Sequence, residues 1–360
     1  MWKNTKDWAN PQRVLASAHS RRDVVQGLVP DRGVTWMYGT SMSYKSFVAM
    51  SMGVAASCGS DWMGLKTEKC LVLYVGAEGG MSLHVRRAGA EMAAGQYGSL
   101  CVATERPQLD TQGGQWRLRG VLEGLLPGIF GEEDDWGFRN AMRAYTPDEV
   151  SYEEQTVLVI IDTYSQTSGA DEKANVSAYI KGLRDMIEDA GAGGTYRLAF
   201  LVIDHATKAG GSYIGSVAKL NDVDSQIEVI RSGSASVATL HQRKTKDGVE
   251  TAPLAVELVQ QVVGDYVDAY GEPISTLVAQ DGTKAVRIAE VADGKAGVLL
   301  TLLEDEGGRS EEETLRRLFA AHKSNEGIKA ESVAKAFRRA KETLQDAEAI
   351  EVRDGVVVVV

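Results

Sequence analysis

The sequence is poor in the features that would take a chain into or out of a membrane. No run of about 18 apolar residues occurs, so no membrane-spanning helix is expected. The polar start Met1-Trp-Lys-Asn-Thr-Lys lacks a signal-peptide core, which points to a cytoplasmic protein with no membrane partner. Cysteine is scarce as well. Cys58, Cys70 and Cys101 are odd in number and follow no ligand spacing, so they read as small buried hydrophobes rather than disulfide or zinc partners. Positive charge is in deficit, 39 Lys and Arg against 50 Asp and Glu, for a net charge of −11. That excludes a uniformly basic nucleic-acid coat, yet leaves room for a local basic channel. What remains is an ordinary globular composition, 44% hydrophobic and 25% charged, on 360 residues. Such a chain suffices for two domains or for one large α/β domain with an appendage.

The most informative stretch is Val34-Thr-Trp-Met-Tyr-Gly-Thr-Ser-Met-Ser-Tyr-Lys-Ser46. An apolar run, Val34 to Tyr38, leads into small residues, and from Lys45 onward Phe47, Val48, Met50 and Val54 take helical spacing. Strand, tight loop and helix in that order, with Gly39, Thr40, Ser41, Met42, Ser43, Tyr44, Lys45 and Ser46, follow the phosphate-binding loop pattern. One position departs: Tyr44 stands where Gly precedes the Lys. Backbone N–H groups and the helix N-terminus of such a loop cradle a polyphosphate, Lys45 neutralises its terminal groups, and the Ser46 hydroxyl ligates Mg²⁺.

Three further apolar runs have the length of buried parallel strands, and each delivers a polar residue at its carboxyl end. Lys69-Cys-Leu-Val-Leu-Tyr-Val-Gly76 ends in Ala77-Glu78-Gly79-Gly80. Glu78 there either orients the water that attacks a γ-phosphate or is a turn residue before a helix at Met81–Met92. Thr156-Val-Leu-Val-Ile-Ile-Asp162 delivers Asp162, and a buried carboxylate facing a phosphate loop suits Mg²⁺ opposite Ser46. Arg197-Leu-Ala-Phe-Leu-Val-Ile-Asp-His205 ends in His205, either a sensor of the γ-phosphate or a residue closing a strand. Arg86 and Arg87 read as solvated or inter-subunit.

Residues 1–30 look like an arm that packs on a neighbouring subunit or lids its own sheet. A strand at Ser99–Ala103, a helix at Trp116–Leu126, an exposed acidic insertion at Gly131–Asp135 and a helix at Ala174–Ala190 follow. The Gly-rich connection Thr207–Ser216, with Lys208, has the composition of a pore-facing or passive loop. Antiparallel strands are expected at 224–230, 235–241 and 255–263. Arg243, Lys244 and Lys246 fall at the expected hairpin tip, either as a finger reaching a neighbour's γ-phosphate or simply solvated. Residues 264–292 read as a linker with a short strand at Lys284–Ile288. Residues 293–360 read as a winged-helix-like domain: helices at 297–303, at 310–319 with a Ser310/Glu313 capping box, and at 332–344, then a hairpin turning at Asp354-Gly355. Its third helix carries Lys335, Arg338, Arg339 and Lys341, a DNA-facing or protein-docking surface.

The series Tyr38-Gly-Thr-Ser-Met-Ser-Tyr-Lys-Ser-Phe47, Val72-Leu-Tyr-Val-Gly-Ala-Glu-Gly-Gly80, Leu158-Val-Ile-Ile-Asp-Thr163, Asp204-His-Ala-Thr-Lys208 and Arg243-Lys-Thr-Lys-Asp-Gly248 resembles the RepA-type hexameric replicative DNA helicases. These are the AAA-25 branch of the RecA-like ATPases, common in plasmids and phages. The resemblance covers roughly residues 30–263. It implies a RecA-like P-loop core with a mostly parallel central sheet over 31–263, ATP and Mg²⁺ bound between subunits of a ring, Glu78 as general base, Lys45 and His205 at the phosphates, and Arg243 or Lys244 as the finger in trans. It also implies single-stranded DNA in the pore; other replication proteins are a further expected partner, above all for an assembly module. Lys219 is the nearest cation where the family usually has an Arg by the Gly-rich loop. A recombination or strand-annealing ATPase, and a weakly hydrolysing assembly module, are the alternatives.

Overall fold

A computed structural model describes residues 22–130, 156–169, 172–192, 196–206, 221–231, 236–246, 248–283, 294–322, 325, 328–347 and 349–359. The expected acidic insertion, the Gly-rich loop with Lys208, Lys219 and the short strand at 284–288 lie outside them. The chain forms two compact units, one running to Leu254 and over Leu258–Gln280, the other comprising Ala255–Glu257 and Asp281–Val360.

The first unit is a mixed α/β fold. Its strands are β3 (Val34–Gly39), β4 (Leu71–Gly76), β5 (Leu100–Ala103), β6 (Thr156–Asp162), β7 (Arg197–His205), β8 (Ser225–Arg231), β9 (Val237–Thr245), β10 (Leu254–Val267) and β11 (Pro273–Asp281), in a nine-stranded sheet of order β11-β10-β9-β8-β3-β7-β6-β4-β5. From β8 to β5 every neighbouring pair is parallel, whereas β9 turns back antiparallel on β8. The apolar runs of β3, β4 and β6 are buried along their whole length. That is what a parallel strand covered on both faces requires.

Helices α1 (Lys45–Cys58), α2 (Ser82–Ala94), α3 (Gln112–Leu125), α4 (Tyr164–Thr167) and α5 (Glu172–Ala192) connect them. On one face Trp36, Tyr164 and Tyr179 form an aromatic cluster with centroids 4.9–6.3 Å apart. Cys58, Cys70 and Cys101 are not joined in disulfides, the last two buried and Cys58 half-buried.

Two expectations change here. Residues 22–30 are no arm: β1 (Asp23–Val25) and β2 (Val29–Pro30) pair, and Val24, Val25, Leu28 and Val29 are buried. Their backbone is tied to the loop before β4 by Gln26 N–H donating to Lys66 O and Glu68 N–H to Val24 O. Residues 1–21 lie outside the described residues. Residues 264–281 are not a linker either. β10 runs on to Val267 and β11 returns beside it, so the sheet claims chain whose sparse burial hid its periodicity.

The second unit holds α6 (Lys295–Asp305), β12 (Arg309–Glu311), α7 (Glu312–Ala321), α8 (Ala330–Asp346), β13 (Ile350–Arg353) and β14 (Val356–Val359). The hairpin turns at Asp354 and Gly355, both at positive φ (51° and 79°), as a two-residue type I′ connection demands. No capping box forms. Ser310 is a strand residue opposite Val357, and α7 starts after Glu311, with no side-chain cap. Pairing with β14 outweighs a local cap worth about 1 kcal/mol. Val333, Phe337, Ala340 and Leu344 bury one face of α8, and Phe319 meets Phe337 edge-on at 5.6 Å. Phe319 is fully buried, so Phe319→Ala lowers the stability of this unit by about 3–5 kcal/mol in urea unfolding. A loss below about 1 kcal/mol would contradict this packing.

Candidate active site

Strands β3, β4, β6 and β7 end side by side, and their carboxyl ends open on one cleft lined by Ser43, Tyr44, Lys45, Ser46, Glu78, Asp162 and His205. Four segments scattered over the sequence therefore converge. The crevice beyond the carboxyl ends of an open parallel sheet is where such folds bind ligands.

The loop from Gly39 to Ser46 follows from local sterics. A Cβ on Gly39 would stand 2.3 Å from the Val229 carbonyl oxygen, so only glycine fits between β3 and β8. Met42 and Tyr44 take left-handed backbone conformations, φ 64° and 70°. Tyr44 occupies the N-cap of α1 without capping it by its side chain, and no acidic residue stands in the first turn. The positive end of a 14-residue helix is thus left for an anion.

Lys45 is 4% exposed and donates to Gly39 O (3.0 Å), Thr40 O (2.8 Å) and Ser43 Oγ (3.3 Å). Burial pulls its ammonium down to about 8, against the opposing pull of Asp162, Asp204 and Glu78. Asp162 is buried and accepts a 2.7 Å hydrogen bond from the Tyr74 hydroxyl. Burial first, and then the Asp162 charge, push Tyr74 well up, so it remains a protonated donor that fixes the carboxylate. The Ala77 N–H donates to Asp162 O (2.8 Å), tying the end of β4 to that of β6. Exposed Glu78 follows at once, its carboxylate 3.5 Å from Thr163 Oγ1. At the end of β7, Asp204 accepts from Trp36 Nε1 (3.2 Å) and from the His205 N–H (2.8 Å). The buried His205 Nδ1 has no hydrogen-bond partner among the described residues.

These residues fit a metal-bound polyphosphate. The loop offers a glycine cradle and a buried cation, while two carboxylates, Glu78 and Asp162, face the same cleft and favour a divalent counter-ion. Among the described residues no group of three or more His, Cys, Asp or Glu could hold a metal by itself. A cation here would rest on Ser46, Asp162 and the ligand's own oxygens.

The basic cluster lies elsewhere than expected. Arg243 and Lys244 belong to β9 itself, not to a free tip. A shift of register between Gln226 and Ile227 sets Arg243 against Glu228 at 2.7 Å, and Lys244 Nζ donates to Asn221 O at 3.0 Å. Lys246, just past the strand, pairs with Asp224 at 3.1 Å. Two arginines near the loop were not expected there. Arg86, which the sequence suggests is solvated or inter-subunit, lines the cleft with its guanidinium 4.7 Å from the Phe47 ring centre. Arg231, which sequence reasoning passes over, lies 4.7 Å from the ring centre of Tyr44. Only the loop-side aromatics, Tyr44 and Phe47, signal these seats in the sequence.

A glycine-started loop, a buried lysine and strand-end carboxylates around one cleft have the arrangement of a P-loop. The chain belongs to the AAA-25 family, an AAA domain, which it matches over residues 5–211. It is a P-loop ATPase. No curated protein matches it in sequence. Among solved structures it is similar to the RadB recombinase (14% identity over 65% of this chain and 90% of that one, TM-score 0.40). It is also similar to a solved ATPase domain (12%, 68% and 84%, 0.39) and to the flagellar accessory protein FlaH from Methanocaldococcus jannaschii (8%, 62% and 84%, 0.35). Among the described residues no helix is long and apolar enough to cross a membrane.

Proposed function

We propose that the protein is an ATP-dependent DNA helicase or translocase that works as a ring, a hexamer by the family resemblance, in DNA replication. The observation that carries the reading is the convergence of Lys45, Ser46, Glu78 and Asp162 on one cleft. In this reading ATP is bound by the loop from Gly39 to Ser46 and hydrolysed by in-line attack of water. Lys45 neutralises the terminal phosphates, Glu78 orients the water and takes its proton, and His205 reads the state of the γ-phosphate. A Mg²⁺ ion held by Ser46 and Asp162 supplies further neutralisation of phosphate charge. The half-exposed Arg243, with Lys244 beside it on β9, is the basic group a neighbouring subunit's site would meet. In the second unit the order helix, strand, two helices, hairpin supports a winged-helix reading, and Lys335, Arg338 and Arg339 are exposed on α8 opposite its buried face. Lys341 is engaged with Glu312 at 2.5 Å. We assign that face to DNA or to another replication protein.

The test is ATP hydrolysis with and without single-stranded DNA at low salt, followed by unwinding of a forked duplex. Stimulation and unwinding are expected. Annealing of complementary strands without unwinding would favour the recombination or strand-annealing reading. No stimulation at all would favour a weakly hydrolysing assembly module, the reading that the left-handed Tyr44 supports.

The lysine also sets a pH dependence. Binding needs the charged ammonium, which the free protein loses above about pH 8, while a bound polyphosphate holds the proton more tightly. ATP affinity is therefore flat up to about pH 8 and falls by up to tenfold per pH unit above it. Calorimetric titrations at several pH values check this, and an affinity unchanged at about pH 9.5 would contradict it.

A further inference from the structure

The one departure from the common phosphate loop comes with a partner. Tyr44 adopts φ 70°, ψ 11°, where an aromatic residue is strained and glycine is not. Its ring is not idle, because the guanidinium of Arg231 lies over it, 4.7 Å from the centre. Arg231 closes β8, the parallel neighbour of β3. The pairing of Tyr38 with Glu228 carries the last residues of β8 alongside the loop, and the Val229 carbonyl presses on Gly39. The arginine is thus delivered to the loop by the sheet and seated there by the tyrosine. Phe47, three residues on in the first turn of α1, likewise seats Arg86, 4.7 Å from its ring centre. A guanidinium stacked on a ring has its flat face covered, and its N–H donors point outward in its own plane, the geometry that suits phosphate oxygens.

We propose that Arg231 is a same-subunit phosphate contact of this site and that Tyr44 holds the glycine position because it is the platform for that arginine. The inference rests on the cleft being a nucleotide site. It goes beyond that reading by adding a cation from the chain's own β8, separate from any finger supplied in trans.

The experiment measures binding of Mg²⁺ with a non-hydrolysable ATP analogue, and with ADP, to the full chain and its variants. Arg231→Ala is expected to weaken the triphosphate about tenfold or more, and ADP less, as loss of a charge-assisted contact should. Tyr44→Gly restores the common loop yet is expected to weaken the triphosphate similarly, with the double variant no weaker than either single one. Tyr44→Phe, which keeps the ring, is expected to recover most of what Tyr44→Gly loses. A purely structural tyrosine would move the melting temperature and leave the ratio of triphosphate to diphosphate affinity alone, which counts against the proposal. The proposal is overturned if Tyr44→Gly binds as tightly as the parent chain, or if Arg231→Ala binds unchanged while Lys45→Ala does not bind. A parent chain that binds no nucleotide overturns both this inference and the reading beneath it.

Discussion

Lys45→Ala abolishes ATP hydrolysis, by a factor of at least about 10²–10³, because the site loses the one buried cation that the loop supplies to the developing phosphate charge. Loss of activity alone would not distinguish a chemical role from an unfolded chain, but the energetics of this lysine do. Its folded pKa is depressed, so the fold disfavours the charged form. That cost, on the order of 3 kcal/mol, is fully present below about pH 8 and shrinks as the pH rises towards 10.5. Lys45→Met fills the same space without the charge. It should be as inactive as Lys45→Ala while its melting temperature at about pH 7 is no lower than that of the parent chain. A Met variant that is both inactive and strongly destabilised would mean that the lysine chiefly holds the loop together through Gly39, Thr40 and Ser43.

Glu78→Gln separates binding from chemistry. The carboxylate stands exposed at the end of β4, held near Asp162 through the Ala77 N–H and within 3.5 Å of Thr163 Oγ1. Glutamine keeps its size and its hydrogen bonds but takes no proton from water. The turnover rate is expected to fall about 10²–10⁴-fold, with ATP affinity held within a few-fold. Single-turnover hydrolysis together with equilibrium binding decides it. A variant that turns over normally would return Glu78 to a turn residue.

The parts of this fold that can be read from the sequence are those in which local and tertiary signals agree. β3, β4, β6 and β7 are continuous apolar runs because both faces of the parallel sheet are covered, and each run ends at a residue that the sheet carries to the cleft. The turn at Asp354-Gly355 is legible because the backbone conformation itself demands those residues. Where pairing at a distance decides, the sequence misleads. Ser310 and Glu313 have the spacing of a capping box, but β14 takes Ser310 into a strand. β11 hides because most of it is only half-buried, and its strength comes from β10. Arg243 looks free at a tip because its partner Glu228 is set by a register shift that no local pattern announces. Arg86 and Arg231 are illegible for the same reason, since their seats on Phe47 and Tyr44 exist only after the sheet has formed.

The most direct measurement is a cryo-electron microscopy map of the full chain with Mg²⁺, a non-hydrolysable ATP analogue and single-stranded DNA. The account predicts the triphosphate in the loop from Gly39 to Ser46 with its terminal phosphate at Lys45. It predicts the cation between Ser46 and Asp162, and Glu78 facing the side from which water attacks. Nucleotide density elsewhere on the chain, or a loop that leaves Lys45 on the carbonyls of Gly39 and Thr40 with the analogue in excess, would contradict it.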